Sequence, residues 1–318
     1  MKWLIRNLGD YPLPKIHIQF TLFSAFYSPL ISTMTGNFLS EEGFDYEWSV
    51  AEPGVSALKA LADGKAQVVQ STISQGFSSL EKNDPPTARH FALINNMDGF
   101  FITGRDHDSD FTWASLEGAE VLVHHGGQPM TMFKYACQNA GIDISKIKII
   151  DAGNAKEMDA AFRNGQGQYI HQQGPAPQQL EADGVGHIAA ALGPMVGACA
   201  FSSLAAMPDW LESDDGKAFC NAYARARRYM ASTPAADIAS AQKPLFPGIN
   251  EAVLTQCIHA YQEMGCWPPE MAISEEGYNT MLDIFAFDQK ITKRHAYDAI
   301  CYRVWVNHYV AIYNLILN

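Results

Sequence analysis

The sequence predicts an α/β protein of two lobes in series, followed by a mostly helical C-terminal region. Two observations carry that expectation. Residues 14–105 and 106–195 each alternate strand and helix, the pattern of a mostly parallel sheet with helices on its faces. Several strand ends also pass directly into Ser, Thr, Gly or Pro and then a helix, which gathers helix N-termini along one sheet edge. At 318 residues the chain is long for one core and comfortable for two.

In order, Ile16–Thr21 alternates as a first strand and leads through Phe23, Ser24 and Tyr27 to Ser28-Pro29, a cap followed by a first helical residue. Leu30, Met34 and Phe38 recur every four residues on one apolar face, and Gly43 closes the helix. Phe44–Val50 is a strand, Ala57–Ala62 a short helix, and Ala66–Gln70 a buried strand. Ser71, Thr72 and Ser74 follow; three hydroxyls in four positions exceed what capping one helix needs. Strands at Phe91–Ile94 and Gly99–Thr103 flank Asn95–Asp98.

The second run centres on VLVHHGGQPM. Val121–Val123 is a strand, Gly126 and Gly127 reverse the chain, and Pro129 opens a helix over Met130–Ala140 that stops at Gly141. Such a helix start offers free N–H groups and a partial positive charge, a seat for a carboxylate, sulfonate or phosphate. Strand Ile147–Ile150, helix Ala155–Asn164, strand Gln168–Gln172, a helix ending near Gly184 and strand His187–Leu192 follow. Beyond Val196, helices are expected over Asp215–Met230, Ala235–Ala241, Asn250–Met264 and Glu275–Phe285, then an apolar tail.

Lys+Arg 22 against Asp+Glu 34 gives a net charge of −12 with no basic cluster, which argues against nucleic acid as a partner. The six cysteines form no C-x-x-C pair and lie at no metal-ligand spacing from a histidine, so no metal is expected and the thiols suit a reducing compartment. No segment reaches the roughly 18 apolar residues of a membrane span. Arg303, Asn307 and His308 interrupt the C-terminal tail, which reads as a helix docked on the body or a partner. The first fifteen residues lack an apolar run and a small-residue cleavage site, so no secretory signal is expected. The glycines match neither a P-loop nor a dinucleotide fingerprint, and no cofactor is expected. His124 and His125 are neighbours on a strand and point opposite ways. His125 is the one expected to face a cleft, where with His171 it would form a proton-transfer pair; one packed and one hydrogen-bonding histidine is the simpler reading. Cys199 lacks a positive neighbour that would make it a nucleophile.

The order of EEGFDYEW, PGVSALKALADGKAQVV, LEGAEVLVHHGG, NAGIDISKIKII and AAFRNGQGQYIHQQGPAPQQL, over roughly residues 16–200, resembles the solute-binding proteins of the sulfonate, nitrate and pyrimidine-precursor group. That family is shared with the fungal thiamine-pyrimidine synthases. The resemblance implies a type II periplasmic-binding-protein fold with two crossovers and a ligand cleft between the lobes. The first lobe would be 14–105 with 196–318 and the second 106–195. The cleft positions would be Ser24 and Tyr27; Ser71, Thr72 and Ser74; Asn96 near the hinge; Gly126, Gly127 and Gln128; and Gln172 and Gln173, with His125 beside them. Phe23, Tyr27, Met97 and Met130 would exclude water. The implied ligand is a sulfonate, a nitrate-like anion or a pyrimidine precursor, and the implied partner an ABC permease. The address would be periplasmic if a leader was removed and cytoplasmic as the sequence stands.

Two departures qualify this. Gln67 and Gln168 stand where the family often has Asp, and no Arg occupies an evident cleft position, so an uncharged or zwitterionic heterocycle fits at least as well as an anion. The synthases' CCCFC iron motif is absent, which argues against iron-dependent, self-consuming synthesis. The alternative is a cytoplasmic enzyme on the same fold, a synthase relative or a small-acid lyase, working through His125 and His171.

Overall fold

The computed structural model describes residues 13–304, apart from 53, 108–109 and 125–126. The strands are β1 (Lys15–Phe20), β2 (Asp45–Val50), β3 (Val68–Ser71), β4 (Arg89–Asn95), β5 (Phe100–Gly104), β6 (Glu120–Leu122), β7 (Lys148–Ile150), β8 (Tyr169–Gln173), β9 (His187–Ala191) and β10 (Ser202–Ala206). They form two five-stranded sheets, ordered β2-β1-β3-β10-β4 and β7-β6-β8-β5-β9. The sheets share one plan. In each, a parallel trio is joined by an antiparallel strand that reaches it across the molecule: β10 between β3 and β4, and β5 between β8 and β9.

Two expectations change here. The strand near 99–103 belongs to the second sheet, because its backbone pairs with β8 and β9 rather than with the neighbouring β4. The first crossing therefore falls between Asn95 and Phe100, ahead of the expected boundary after 105. Ser202–Ala206 is a strand of the first sheet rather than the start of a helical region. Each sheet is thus mixed rather than mostly parallel.

The helices are α1 (Ser28–Thr35), α2 (Phe38–Glu41), α3 (Leu58–Ala62), α4 (Ile73–Glu81), α5 (Gly127–Asn139), α6 (Ala155–Arg163), α7 (Ala176–Ala182), α8 (Gly193–Val196), α9 (Pro208–Glu212), α10 (Asp214–Ser232), α11 (Ala235–Gln242), α12 (Glu251–Glu263) and α13 (Glu275–Phe287). Side-chain caps start several of them. Asn154 and Glu157 form a capping box on α6, and Ser213, Asn250 and Ser274 cap α10, α12 and α13. The C-terminal tail beyond Val304 lies outside the described residues.

One core runs through both lobes, with Phe20, Phe26, Phe77, Phe133, Tyr223 and Tyr261 fully buried. The C-terminal helices do more than decorate the first lobe. α12 packs on the 3-10 turn Ala25–Tyr27 of one half and on α7 of the other, while α13 packs on α4 and α5. Both lobes therefore share helices as well as crossings.

Candidate functional site

The C-terminal ends of β1, β3 and β8 and the start of α5 converge on the seam between the lobes, where ligands of open α/β sheets sit. Six of the expected residues make bonds across that seam: Ser24, Tyr27, Thr72, Ser74, Gln128 and Gln173. Ser24 caps the turn after β1 by accepting from Phe26 N at 3.1 Å, and its hydroxyl donates to Gly174 O at 2.6 Å, just beyond β8. Gly174 precedes a cis proline, Pro175. Tyr261 holds the same point: its hydroxyl accepts from Gly174 N at 2.8 Å and donates to Gly99 O at 2.9 Å. Gln173 Nε2 donates to the Tyr27 hydroxyl at 3.5 Å. Burial pushes that hydroxyl up to about 12, with the Gln173 bond opposing and the Asp98 charge adding to the rise.

Gln128 is the second link. From the first turn of α5 its Nε2 donates to Phe201 O at 2.7 Å. Its Oε1 accepts from Ser74 Oγ at 2.8 Å and from Thr72 Oγ1. The hydroxyl cluster after β3 and the amide of α5 thus meet each other. Gly127 opens α5 at φ +61°, the left-handed conformation its residue type permits. His125 and Gly126 lie outside the described residues. Ser71 is buried on β3 with its Oγ unpartnered.

Other expected residues point elsewhere. Gln172 sits on the opposite face of β8 from Gln173, as strand alternation requires, and donates to Asp159 Oδ1 of α6 at 3.3 Å. His171 shares the Gln173 face but is fully buried, with its ring 4.3 Å from Phe100 and 5.3 Å from Phe133, centroid to centroid. Burial, helped by the charge of His124, lowers it to about 3, and neither ring nitrogen has a hydrogen-bond partner. It packs as a neutral aromatic ring. Cys199 is buried, and that burial, followed by the Asp98 charge, raises its thiol well above the usual range, the opposite of nucleophile activation.

The residues between the sheets hold what sequence reasoning missed. Asn96, an expected contact, ties the two crossings together: its N donates to Cys266 O at 3.1 Å and its O accepts from Cys199 N at 2.7 Å. Its Oδ1 is buried without a partner. Asp98 is fully buried, with Oδ1 accepting from Phe100 N at 2.7 Å and Oδ2 unpartnered. Burial pushes its carboxyl up to about 7. Its signal in the sequence was an Asp-Gly pair, which reads as turn punctuation. Gln70 was also passed over; its Oε1 accepts from Thr21 N at 3.0 Å and Leu22 N at 3.4 Å and so fixes the loop after β1.

Among the described residues no cluster of three His, Cys, Asp or Glu is placed to hold a metal, and no helix is long and apolar enough to cross a membrane. A surface concavity of about 550 Å³ lies elsewhere, lined by Lys134, Gln138, Ile142, Phe287 and Asp288 among others. It contains none of the converging polar groups, so chemistry rather than open volume marks the seam as the candidate site.

No protein-family model matches the chain. YtlA of Bacillus subtilis (strain 168), whose name gives it a provisional binding role, is 25% identical over 297 residues, 91% of this chain and 87% of that protein. The ligand-binding component of an ABC-type import system from Staphylococcus aureus, solved with zinc bound, matches with a TM-score of 0.73 at 17% identity, over 91% of this chain and 97% of that one. The alkanesulfonate-binding protein SsuA from Xanthomonas axonopodis pv. citri, bound to MOPS, matches with a TM-score of 0.71 at 14% identity, over 92% and 99% of the two chains. The chain has the two-lobed periplasmic-binding-protein fold, which SsuA shares.

Proposed function

We propose that the chain is a solute-binding protein that closes its lobes around a small polar molecule and presents it to an ABC-type permease. One observation carries the reading. Hydroxyl and amide side chains from both lobes, Ser24, Tyr27, Thr72, Ser74, Gln128 and Gln173, meet at the seam at hydrogen-bonding distance. A polar seam flanked by Phe26, Phe100 and Phe201 suits a ligand that is oriented by a few hydrogen bonds and shielded from water. The names of the relatives, a binding protein and components of import systems, agree with it.

The enzymatic alternative lacks a chemical centre among the described residues. His171 is held neutral inside an aromatic stack, and Cys199 is held as a thiol. The test is native mass spectrometry of protein purified from its own host, followed by denaturation and identification of what is released. A stoichiometric small molecule recovered unchanged is the expected result. A substrate–product mixture, or a covalent adduct on the chain, overturns the reading.

A further inference from the structure

We infer that Asp98 anchors a basic nitrogen of the ligand, so that the cargo carries a protonated amine or ring nitrogen and is a cation or zwitterion. This rests on the solute-binding reading above and narrows it to a substrate class.

Asp98 lies in the four-residue crossing from β4 to β5, where backbone passes from one sheet to the other. The second crossing packs directly against it: a Cβ on Gly193, at the start of α8, would come within 2.6 Å of Asp98 O. The side chain is fully buried at this junction. The next residue, Gly99, accepts from the Tyr261 hydroxyl that also holds Gly174, and a Cβ there would strike the ring of Phe26, the neighbour of Tyr27. Tyr27 is in turn the residue that Gln173 reaches from the second lobe. Asp98 therefore belongs to the crossing against which site residues of both lobes pack.

One carboxylate oxygen takes the Phe100 N–H, and the other has no partner. No ion pair among the described residues includes Asp98. Arg227, the cation buried nearby under β4, is turned to the carbonyls of Leu93, Ile94 and Pro268 and to the Tyr223 hydroxyl. A buried carboxylate without a counter-charge is strongly unfavourable and is tolerated where a partner completes it. An N–H⁺ donor would meet Oδ2 and draw the carboxyl, now near 7, back to its ionised form. The unpartnered Asn96 Oδ1 and Gln173 Oε1 add acceptors to the same region. An amide can turn to offer its nitrogen, but an ionised carboxylate only accepts, so Asp98 sets the sign of the site. A sulfonate or nitrate placed there would meet no cationic side chain paired with Asp98 among the described residues, and would face a like charge once the carboxyl ionises.

The experiment uses the full chain. Molecules released on denaturation are identified, and binding of primary alkylamines, aminopyridines, amino acids, alkanesulfonates and nitrate is measured by calorimetry on wild type and Asp98→Asn. A released or bound molecule with a basic nitrogen is expected, and Asp98→Asn should weaken it at least about tenfold, the range of a charged hydrogen bond. An anion without a basic nitrogen as cargo, or an amine whose affinity Asp98→Asn leaves unchanged, overturns this inference and leaves the solute-binding reading standing. No released molecule and no binding by wild type overturns both. The class of the wild-type cargo decides the matter even if Asp98→Asn fails to fold.

Discussion

Burial sets the protonation of His90, His171 and Asp98 in opposing directions, which makes stability depend on pH. Both histidines fall from 6.5 to about 3 in the folded chain, while Asp98 rises from 3.8 to about 7. Between pH 5 and 6 the unfolded chain binds a proton on each histidine that the folded chain refuses. Over the same range the folded chain keeps a proton on Asp98 that the unfolded one gives up. The balance is one proton in favour of the unfolded state, so stability should rise with pH by about 1.4 kcal/mol per unit there. Asp98→Asn removes the opposing contribution and should roughly double the slope. His171→Leu removes one of the two favourable ones and should flatten it, with little loss of packing because that ring makes no hydrogen bond. Urea unfolding at pH 5.0, 5.5 and 6.0 measures all three slopes; equal slopes would mean these groups are not buried as described. Residue type alone could not distinguish such roles. A histidine at a strand end reads as chemistry until Phe100 and Phe133 are seen on either side of it, and an Asp before Gly reads as a turn until the crossing buries it.

Elements with strong local pattern were legible, and those defined by distant pairing were not. The strands β1 and β2 and the helices α6 and α10 all appear within a residue or two of expectation. β10 was hidden because SSLAA is buried on every residue and so shows no alternation. β5 was seen as a strand and assigned to the wrong sheet, since no local feature says which partner a buried antiparallel strand will find. α10 has a further task that its periodicity conceals. Arg227 on its buried face donates to the last carbonyls of β4, Leu93 O at 2.7 Å and Ile94 O at 3.0 Å, and to Pro268 O at 3.0 Å. It thereby ties the strand that enters the first crossing to the loop after α12. Arg227→Leu keeps much of the packing and leaves Leu93 O with the Tyr223 hydroxyl, but takes the guanidinium from Ile94 O and Pro268 O, and should cost about 3 kcal/mol. That corresponds to a fall in thermal midpoint of about 4–5 °C for a chain of 318 residues. A shift under 2 °C by circular dichroism would show that water satisfies the carbonyls instead.

At the scale of the molecule, the lobes are held together by contacts that no stretch of sequence announces. Gln128 meets Thr72 and Ser74 across 56 and 54 residues. Asp288, which caps α13, accepts from Thr131 Oγ1 at 2.7 Å and Lys134 Nζ at 2.8 Å, both on α5. The residue types at the seam were legible, since polar strand-end side chains were expected there; their pairing with one another, rather than with a ligand alone, was not. These bonds favour closure of the free protein by one net hydrogen bond each, about 1 kcal/mol apiece. Removing them with Gln128→Ala and Asp288→Ala together should therefore open a substantial share of molecules, visible as a larger radius of gyration by small-angle scattering. The effect on affinity separates a clasp from a ligand contact. If half the molecules become open, apparent affinity falls only about twofold, because it scales with the closed fraction. The association rate should not fall, since ligand enters through the open form. Were Gln128 instead a direct ligand contact, Gln128→Ala alone would weaken binding about tenfold or more, with no change in the radius of the free protein.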